Sequence, residues 1–251
     1  MIDLHTHILP GLDDGAQSLE DSVAMAHAAV ADGIRIVAAT PHVRDDYPTT
    51  AAEMEHGVAA VRQAIAAAGL SLALRTGGEI ALDRLGALDP VELSRFGLGG
   101  NAGYLLLEFP YYGWPLGLGN RLFELRSKGF ISILAHPERN AEVQGLPERL
   151  RELVEQGAFV QVTSASLDGR LGRTARRTAF RLLELGLGHL VASDAHGPDV
   201  RAIGMRRAAE ALGDPVLARW LTMDVPAAIL AGQPIPDRPA APPRRRRRFR
   251  I

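Results

Sequence analysis

The sequence contains no cysteine. Its absence excludes disulfide bonds, thiolate metal sites and every mechanism that depends on a cysteine nucleophile, including that of phosphatases with a Cys-x5-Arg loop. A metal site in this chain must therefore be built from the nitrogen and oxygen atoms of His, Asp and Glu side chains.

Long apolar runs and nucleotide-binding loops are absent as well. No run approaches the roughly 18 apolar residues of a membrane span, and no positively charged leader with an apolar core precedes the first predicted strand. We therefore expect a cytoplasmic protein. Neither a Gly-x-Gly-x-x-Gly loop nor a Walker loop occurs, so the nucleotide-binding α/β folds have no support in the sequence.

What the chain does contain is typical of a globular α/β protein. Its 251 residues, 47% hydrophobic and 23% charged, suit one α/β barrel or two smaller domains. Strand-like and helical segments alternate, which predicts parallel strands joined by crossover helices in an open sheet or a closed barrel. Seven strands are predicted, one from residue 2 and the others at 34–40, 70–76, 104–109, 130–135, 158–162 and 189–192. The main predicted helices cover 19–32, 49–68, 117–128, 147–156, 172–185, 200–212 and 215–231, with a short one after residue 90.

The first helix has clear boundary signals. Ser18 is placed to be its N-cap, and Asp21 completes an arrangement like a capping box. Gly33 is suited to the position after the last helical residue. The spacing of apolar residues predicts a buried face made of Leu19, Val23, Ala26 and Val30.

A His-x-His pair lies on the first predicted strand. Residues two apart on a strand point to the same side, so His5 and His7 direct two imidazoles toward one point. Neutral imidazole is a common metal ligand. Taken alone, the pair could equally be the polar end of a strand.

The other predicted strands supply further groups of the same kind. Six of the seven strands have His, Asp or Glu at or just after the carboxyl end, where active sites of parallel α/β folds form. Asp13 and Asp14 lie in the loop after the first strand. The strand-end residues are His5, His7, His42, Glu79, Glu108, His136, Asp194 and His196.

These residues together predict a site for several metal ions. So many ionisable groups on one face would be too costly to desolvate without cations. Mixed imidazole and carboxylate ligands suit Mn²⁺, Fe²⁺ or Zn²⁺, and such sites hydrolyse esters. Arg139 and Arg201 follow ligand positions and could bind a phosphoryl group, although each could instead form a surface ion pair. The remaining histidines, at positions 27, 56 and 189, are interpreted as structural or surface residues.

The C-terminal segment differs from the rest. Residues 232–243 contain five prolines, and residues 244–250 carry six arginines. Subtracting these six charges from the net charge of −1 leaves −7 for the remainder. We expect residues 232–251 to be a disordered tail. Alternatively, the arginines could attach the protein to an anionic membrane surface.

The motifs resemble those of metal-dependent phosphoesterases of the PHP superfamily. The relevant segments are His5-Thr6-His7, Thr40-Pro41-His42, Gly78-Glu79, His136-Pro137-Glu138-Arg139 and Ser193-Asp194-Ala195-His196. Residues 2–16, 107–110 and 135–140 are more narrowly similar to bacterial capsule-type tyrosine-protein phosphatases. The resemblance covers residues 1 to about 231.

The resemblance implies a fold, a cofactor and a substrate. The fold is a distorted seven-stranded (β/α) barrel of the PHP type, similar to a TIM barrel, over residues 1–231. It would hold three divalent metal ions, usually Mn²⁺. The substrate would be phosphotyrosine in the tail of a bacterial tyrosine kinase that controls capsule or exopolysaccharide synthesis. Thr163 stands where an asparagine would be expected, and no metal ligand is lost.

The resemblance also assigns roles to residues. Arg139 would bind phosphate, Arg201 lies in a matching position, and the proton donor to the leaving group would be His42 or a metal-bound water. The implied metal sites are His5, His7, Glu79 and Asp194; Glu79, Glu108 and His136; and Asp14, His42 and His196.

Two alternatives remain open from the sequence. One is a PHP phosphatase that acts on a small phosphomonoester such as histidinol phosphate. The other is a non-catalytic module that binds polyanions through its arginine tail. A nucleic-acid partner is not expected, because the body is acidic and offers no basic groove for a phosphate backbone.

Overall fold

The structure, a computed structural model, describes residues 1–240. Strands and helices alternate along the chain, as predicted. The strands are β1 (Ile2–Thr6), β2 (Ile36–Ala39), β3 (His42–Arg44), β4 (Tyr47–Pro48), β5 (Ala73–Arg75), β6 (Glu79–Ala81), β7 (Tyr104–Glu108), β8 (Ile131–Ala135), β9 (Phe159–Thr163) and β10 (Leu190–Ala192). The helices are α1 (Leu19–Ala31), α2 (Ala51–Ala67), α3 (Pro90–Arg95), α4 (Leu118–Ser127), α5 (Ala141–Gly145), α6 (Arg151–Glu155), α7 (Ser164–Asp168), α8 (Gly172–Glu184), α9 (Met205–Leu212), α10 (Pro215–Arg219) and α11 (Val225–Ala231).

The strands form two sheets. One has the order β1-β2-β5, and the other has seven strands in the order β10-β9-β8-β7-β6-β3-β4. All pairings are parallel except that of the β3–β4 hairpin. Central strands β7 and β8 are buried along most of their length, as expected for parallel strands covered on both faces. The mixed α/β fold is confirmed, while residues 1–240 form no single closed sheet.

Two predicted strands are each followed by a short strand that was not predicted. The strand predicted at 34–40 is β2, and β3 follows it after Thr40 and Pro41; the strand predicted at 70–76 is β5, and β6 follows it. Pro41 has no N–H to donate to a sheet, but its carbonyl accepts a hydrogen bond from Glu79 N at 3.0 Å. The chain therefore passes at Thr40 and Pro41 from the first sheet, which contains β2, to the second, which contains β3. The hydrogen bond to Pro41 keeps the start of β6 beside this crossing point.

Strand β1 has neighbours on both sides. It pairs with β2, and Thr40 N donates to Thr6 O at 2.8 Å. On its other side, Asp194 N donates to His5 O and His7 N donates to Ala195 O, both at 2.9 Å. Strand β1 is thus held between β2 and the segment that follows β10.

The predicted start of α1 is confirmed, but most of its predicted buried face was wrong. Ser18 and Asp21 form a complete capping box, and Thr50 with Glu53 forms a second one before α2. The buried residues of α1 are Ser22, Met25, Ala26 and Ala29, whereas Leu19 is 39% exposed. Small side chains let the helix approach its neighbours closely, so the face rich in Ala and Ser is the one that packs.

The C-terminal helices are less regular than predicted. Helix α9 begins at Met205 rather than near residue 200, because the preceding loop holds Arg201 at a φ of +50°. The single helix predicted over 215–231 is α10 and α11 joined by a π-helical turn, Trp220–Asp224.

Residues 233–240 contain no helix or strand, yet they contact the body. Arg238 donates to Gly188 O and Leu183 O, both at 2.8 Å, and Trp220 Nε1 donates to Pro236 O at 3.0 Å. The rest of the predicted disordered tail, with its arginine run, follows residue 240 and lies outside the described residues. For that part, disorder stays a prediction. Within the described part, none of the helices combines the length and apolar character needed to cross a membrane.

Candidate metal centre

Strand β1 brings its two histidines together as predicted. His5 Nε2 and His7 Nε2 are 3.2 Å apart, and both side chains are buried. The other ring nitrogens face oxygen acceptors: His5 Nδ1 lies 3.1 Å from Gln161 Oε1, and His7 Nδ1 lies 2.7 Å from Asp13 Oδ2. With Nδ1–H donating in each neutral ring, the two Nε2 lone pairs face the same space, which is the arrangement of metal-bound histidines.

Asp13 organises the loop beneath this pair. Besides contacting His7, its carboxylate accepts hydrogen bonds from His42 N and Gly15 N, both at 2.9 Å. A Cβ at Gly15 would lie 2.2 Å from His7 O, so only glycine lets the loop approach the strand this closely. The sequence placed Asp13 near the site without giving it a role, and the structure shows that it orients His7.

Glu79, at the start of β6, lies at the centre of the cluster. Its fully buried carboxylate has Oε1 2.8 Å from His136 Nε2. The other oxygen, Oε2, is 3.0 Å from His42 Nδ1, 3.3 Å from His5 Nε2 and 3.4 Å from His7 Nε2. One carboxylate thus faces four imidazoles, a position suited to bridging two cations.

Asp194, just after β10, connects the histidines with two arginines. Its Oδ1 is 3.4 Å from His5 Nε2 and 3.5 Å from His7 Nε2. Its Oδ2 accepts hydrogen bonds from Arg139 at 2.8 Å and from Arg201 at 2.7 Å. The two predicted phosphate-binding side chains therefore meet at one carboxylate on the edge of the cluster.

The outer part of the cluster contains His42, His196 and Asp14. Asp14 Oδ1 is 3.5 Å from His42 Nε2 and 3.3 Å from His196 Nε2. The nearby His196 ring holds the pKa of Asp14 well below its usual value. The Asp14 side chain is 45% exposed, so this side of the cluster is open to solvent.

Glu108, at the end of β7, closes the opposite side. Its Oε2 is 3.8 Å from His42 Nδ1, and its Oε1 accepts a hydrogen bond from Arg44 at 3.0 Å. The structure therefore places Glu108 with His42 and Glu79, and His136 with His5 and Glu79. Glu79 is common to both groups.

All nine predicted ligand residues converge. Four overlapping groups have ligand atoms close enough to share a cation: His7, Asp14, His42 and His196; His5, Glu79 and His136; His5, His7 and Asp194; and His42, Glu79 and Glu108. Within residues 1–240, buried atoms of the cluster without a hydrogen-bond partner include Glu79 Oε2, Asp194 Oδ1 and His196 Nε2. Buried acceptors that face one another without donors are costly, and divalent cations would satisfy them. The donor set thus fits metal ions.

The charge states of the side chains support this fit. Burial acts to lower the pKa of His7, but Asp13, Asp194 and Glu79 together outweigh it, and the pKa lies well above its usual value. Burial acts to raise the pKa of Asp194, but the surrounding histidines and Arg201 together outweigh it, and that pKa lies well below the usual value. The side chains thus compensate their carboxylates with protons, a role that cations can take over.

The backbone around the cluster is strained at three residues. In the described chain, the residues other than glycine with positive φ are His136 at 39°, Asp194 at 53° and Arg201 at 50°. Left-handed conformations are unfavourable for such residues and persist where the surroundings impose them. All three are predicted site residues, so the local backbone is adapted to aim these side chains.

Tyr111 lies over the mouth of the cluster. Its ring stacks on that of His136 with centroids 5.9 Å apart, and the Arg139 guanidinium lies over the ring at 4.6 Å. Arg139 is 17% exposed and Arg201 29% exposed at the side chain. Both guanidiniums can therefore reach an anion at the mouth while contacting Asp194.

Two buried carboxylates were missed as supports of the site. Asp3 Oδ1 accepts hydrogen bonds from Ser193 N at 2.9 Å and from His5 N at 3.3 Å. Glu138 Oε1 accepts from Thr163 N at 3.0 Å and from Ser166 Oγ at 2.7 Å. The alternation of Asp3 with His5 and His7 along β1 was a usable signal, whereas the partners of Glu138 come from distant segments.

The remaining histidines lie outside the cluster. His27 and His56 are exposed on helices α1 and α2, and His189 precedes β10 at the opposite end of that strand. The prediction that they are structural or surface residues agrees with these positions.

Comparison with known proteins identifies the family. The family described as "Capsular polysaccharide synthesis, CpsB/CapC" matches residues 1–227. The chain belongs to the CpsB/CapC family. The resemblance predicted from the motifs is thereby confirmed at the level of the family.

Several members of the CpsB/CapC family are similar along most of their length. Tyrosine-protein phosphatase YwqE of Bacillus subtilis is 38% identical over 202 residues, 80% of this chain and 79% of the relative. Tyrosine-protein phosphatase CpsB of Streptococcus pneumoniae is 28% identical over 244 residues, 93% of this chain and 99% of the relative. A solved structure described as that of YwqE and CpsB, metal-dependent tyrosine phosphatases, matches with a TM-score of 0.85. It is 35% identical and covers 96% of this chain and 100% of the solved chain.

Proposed function

We propose that this chain is a metal-dependent protein-tyrosine phosphatase that hydrolyses phosphotyrosine in the cytoplasm. The observation that carries the proposal is the double contact of Asp194. One of its oxygens faces histidines that fit cations, and the other holds two guanidiniums. An anion that approaches this edge meets cation-binding atoms and two arginines together, as hydrolysis of a phosphate ester requires. The tyrosine phosphatases similar to this chain support the same reaction.

The proposed cofactor is three divalent ions, with Mn²⁺ favoured over Fe²⁺ or Zn²⁺. Oxygen and imidazole ligands without sulfur suit these metals. Glu79 would belong to two of the sites. By the resemblance of the motifs, the first would use His5, His7, Glu79 and Asp194; the second Glu79, Glu108 and His136; and the third Asp14, His42 and His196. The groups of nearby ligand atoms differ from this division in placing Glu108 with His42 and Glu79, and His136 with His5 and Glu79.

Arg139 and Arg201 are proposed to bind the phosphoryl group. Each guanidinium can keep one N–H on Asp194 and turn others to phosphoryl oxygens, because the planar fork presents several donors. The stack of Tyr111 beneath Arg139 limits the directions the guanidinium can take. When bound, the metal ions would lower the pKa of a water molecule and compensate the negative charge of the phosphoryl oxygens.

His42 is assigned as a ligand rather than as the proton donor to the leaving group. Both of its ring nitrogens face carboxylates of the cluster: Nδ1 lies 3.0 Å from Glu79 Oε2, and Nε2 lies 3.5 Å from Asp14 Oδ1. A ring engaged on both sides has no nitrogen free to donate to the tyrosine oxygen. We therefore propose that water at the exposed mouth protonates the leaving group.

We further propose that the two sheets represent one distorted seven-stranded barrel of the PHP type. Support comes from β1, which hydrogen-bonds with β2 on one side and with residues 193–195 on the other. Such a barrel would place the carboxyl ends of all strands around one rim, where the cluster lies.

The proposed substrate is phosphotyrosine in the tail of a bacterial tyrosine kinase. Support comes from the resemblance of the motifs and from the family description, which names capsular polysaccharide synthesis. The kinase would be the one that controls this synthesis.

One experiment tests the proposed function. The purified chain is loaded separately with Mn²⁺, Fe²⁺ and Zn²⁺, its metal content is measured, and turnover of a phosphotyrosyl peptide is compared with that of histidinol phosphate. We expect kcat/KM for the peptide to be higher by at least about tenfold. A preference for histidinol phosphate would favour the small-molecule alternative. No turnover of either ester with any metal would favour a binding module.

A further inference from the structure

A groove of about 680 Å³ adjoins the cluster. It lies between the β3–β4 hairpin and the loop of residues 110–116, and we refer to it as the hairpin groove. Arg44 and Glu108 line it, and these two side chains are joined by the 3.0 Å hydrogen bond that closes the cluster on this side. The hairpin groove therefore begins at a proposed metal ligand and leads away from it.

The loop side of the hairpin groove is apolar and largely exposed. Tyr112 is 84% exposed and Leu116 is 90% exposed, although large apolar side chains usually avoid water when a protein has no use for them there. Between them, Trp114 is held in place by the Phe109 ring at 5.7 Å and by the Arg149 guanidinium, 4.2 Å from its ring centroid. The wall thus combines a fixed indole with two exposed apolar side chains.

The hairpin side of the groove is acidic. Asp45, Asp46 and Asp83 line it. The first two are paired with arginines: Arg84 donates to Asp45 at 2.9 Å, and Arg44 pairs with Asp46 and Glu108. Arg121 also lines the groove and donates to Leu82 O at 3.0 Å. Among the described lining residues, four carboxylates (Asp45, Asp46, Asp83 and Glu108) thus stand against two arginines, Arg44 and Arg121, so an acidic ligand would meet an excess of negative charge. An apolar or aromatic ligand would instead find the Tyr112–Leu116 wall.

The size of the groove indicates a ligand larger than one phosphotyrosine side chain. A volume of about 680 Å³ is within the range that encloses drug-sized molecules, about 300–1,000 Å³, and corresponds to a few amino acid residues. A free small phosphomonoester would leave most of it unfilled.

We propose that the hairpin groove binds the polypeptide that flanks phosphotyrosine in the substrate, and that it selects apolar or aromatic flanking residues over acidic ones. The inference rests on the proposed phosphatase function and adds a specificity surface to it. Aromatic side chains gain both buried area and stacking on Tyr112 and Trp114, while acidic ones are disfavoured by the excess of carboxylates over arginines in the lining.

Two phosphotyrosyl peptides of equal length test the proposal, one with Phe and Leu and the other with Asp and Glu on both sides of phosphotyrosine. For the Mn²⁺-loaded protein, we expect kcat/KM to be about tenfold higher for the apolar peptide. Turnover of both peptides at equal rates would contradict the proposed selectivity of the groove but leave the phosphatase function intact. Failure to hydrolyse either peptide would instead count against the phosphatase function.

Substitutions locate the selectivity. Tyr112→Ala and Leu116→Ala should each reduce the ratio of the two kcat/KM values to about threefold or less. The ratio cancels any general loss of activity, since both peptides carry the same phosphotyrosine. Matched controls are Phe123→Ala and Val216→Ala, at residues 69% and 61% exposed that do not line the groove. If the controls lower the ratio as much as the groove variants do, the assignment is wrong.

A binding measurement gives a second readout that does not depend on turnover. The chain has two tryptophans, and of these Trp114 lines the groove while Trp220 is buried in the C-terminal helices. We expect an unphosphorylated apolar peptide to change the fluorescence of Trp114, and Trp114→Phe to abolish the change. A signal that persists in Trp114→Phe would place binding elsewhere.

Discussion

The two ends of strand β10 carry ionisable side chains that are partly buried at the amino end and buried at the carboxyl end, and the two sets differ in their hydrogen-bond partners. At the amino end, His189 Nδ1 accepts a hydrogen bond from Val160 N at 3.2 Å, and the ring meets Phe159 edge-on at 4.9 Å. At the carboxyl end, Asp194 Oδ1 is buried without a hydrogen-bond partner in the described chain.

The surroundings of the two ends explain the difference. Arg238 and Trp220 complete the amino end, where the guanidinium lies 5.4 Å from the indole centroid and donates to backbone carbonyls. The Nδ1 atom of His189 and the guanidinium of Arg238 are thus matched by protein atoms. The histidines and carboxylates of the cluster face one another instead, and cations are the natural complement. Burial alone therefore does not distinguish function from stability, whereas buried atoms without partners do.

The largest expected effect is that of Glu79→Gln. The amide keeps the shape of the side chain but removes a charge that faces four imidazoles, so the cluster should lose metal and activity together. We expect kcat/KM to fall by roughly a thousandfold or more, measured with elemental analysis of the same sample. Glu184→Gln, at an exposed glutamate, is the control. Full metal content with full activity in Glu79→Gln would contradict the view that the cluster, unlike the amino end of β10, needs cations.

Arg139→Ala should separate metal binding from turnover. The variant should keep its metal ions, because no arginine is a ligand, and should lose about 100- to 1,000-fold in kcat, the usual effect of removing one donor to developing charge. Arg95→Ala, at an exposed ion pair with Glu55, is the control. Near-normal turnover in Arg139→Ala would show that its contact with Asp194 is only structural.

Asp13→Asn should have an intermediate effect. The variant weakens the orientation of His7, and loss of such a supporting carboxylate lowers metal affinity by about 10- to 100-fold. Activity should recover when the metal concentration is raised, which a titration with Mn²⁺ would show. Asp237→Asn, at an exposed position in the C-terminal segment, should leave the titration unchanged. A loss that excess metal does not restore would assign Asp13 to the chemistry itself.

The smallest expected effect concerns His189 and the stability of the amino end. Burial, with a further contribution from the charge of Arg238, lowers the pKa of His189 to about 4. The unfolded chain binds this proton near pH 6.5, so stability from the neutral ring is present above pH 6.5 and is lost as pH falls toward 4. Between pH 7 and pH 5 the loss is about 2 kcal/mol.

His189→Gln removes this titration and keeps an acceptor for Val160 N. The free energy of unfolding, measured by urea titration at both pH values and at fixed metal concentration, should fall by that much less in the variant than in the unmodified protein. Equal pH dependence in the two proteins would show that the ring is not held neutral.

Much of the fold and the site followed from local sequence signals. The His-x-His spacing on β1 placed two imidazoles side by side, and the capping box of Ser18 and Asp21 marked the start of α1, because both depend on residues close in the chain. The convergence of residues from six strand ends followed from the rule that parallel strands end on one side.

Other features depend on contacts between distant segments and could not be predicted. The additional strand β3 after Pro41 depends on pairing with β6 at Glu79, and the role of Asp13 depends on where His7 and His42 meet. The buried face of α1 was mispredicted because size and closeness of approach, rather than hydrophobicity alone, decided which side packs. Which ligand residues lie together around Glu79 likewise could be seen only in the structure.

The contact between Asp3 and Ser193 has a consequence for how the protein is made. It joins residues 190 positions apart, so β1 is synthesised long before the segment after β10 that holds its other side. Contacts between such distant residues slow folding. During that interval the histidines of β1 are accessible, and the finished cluster forms only when most of the chain has been synthesised. Incorporation of metal ions is therefore expected to be a late event in the biogenesis of this enzyme.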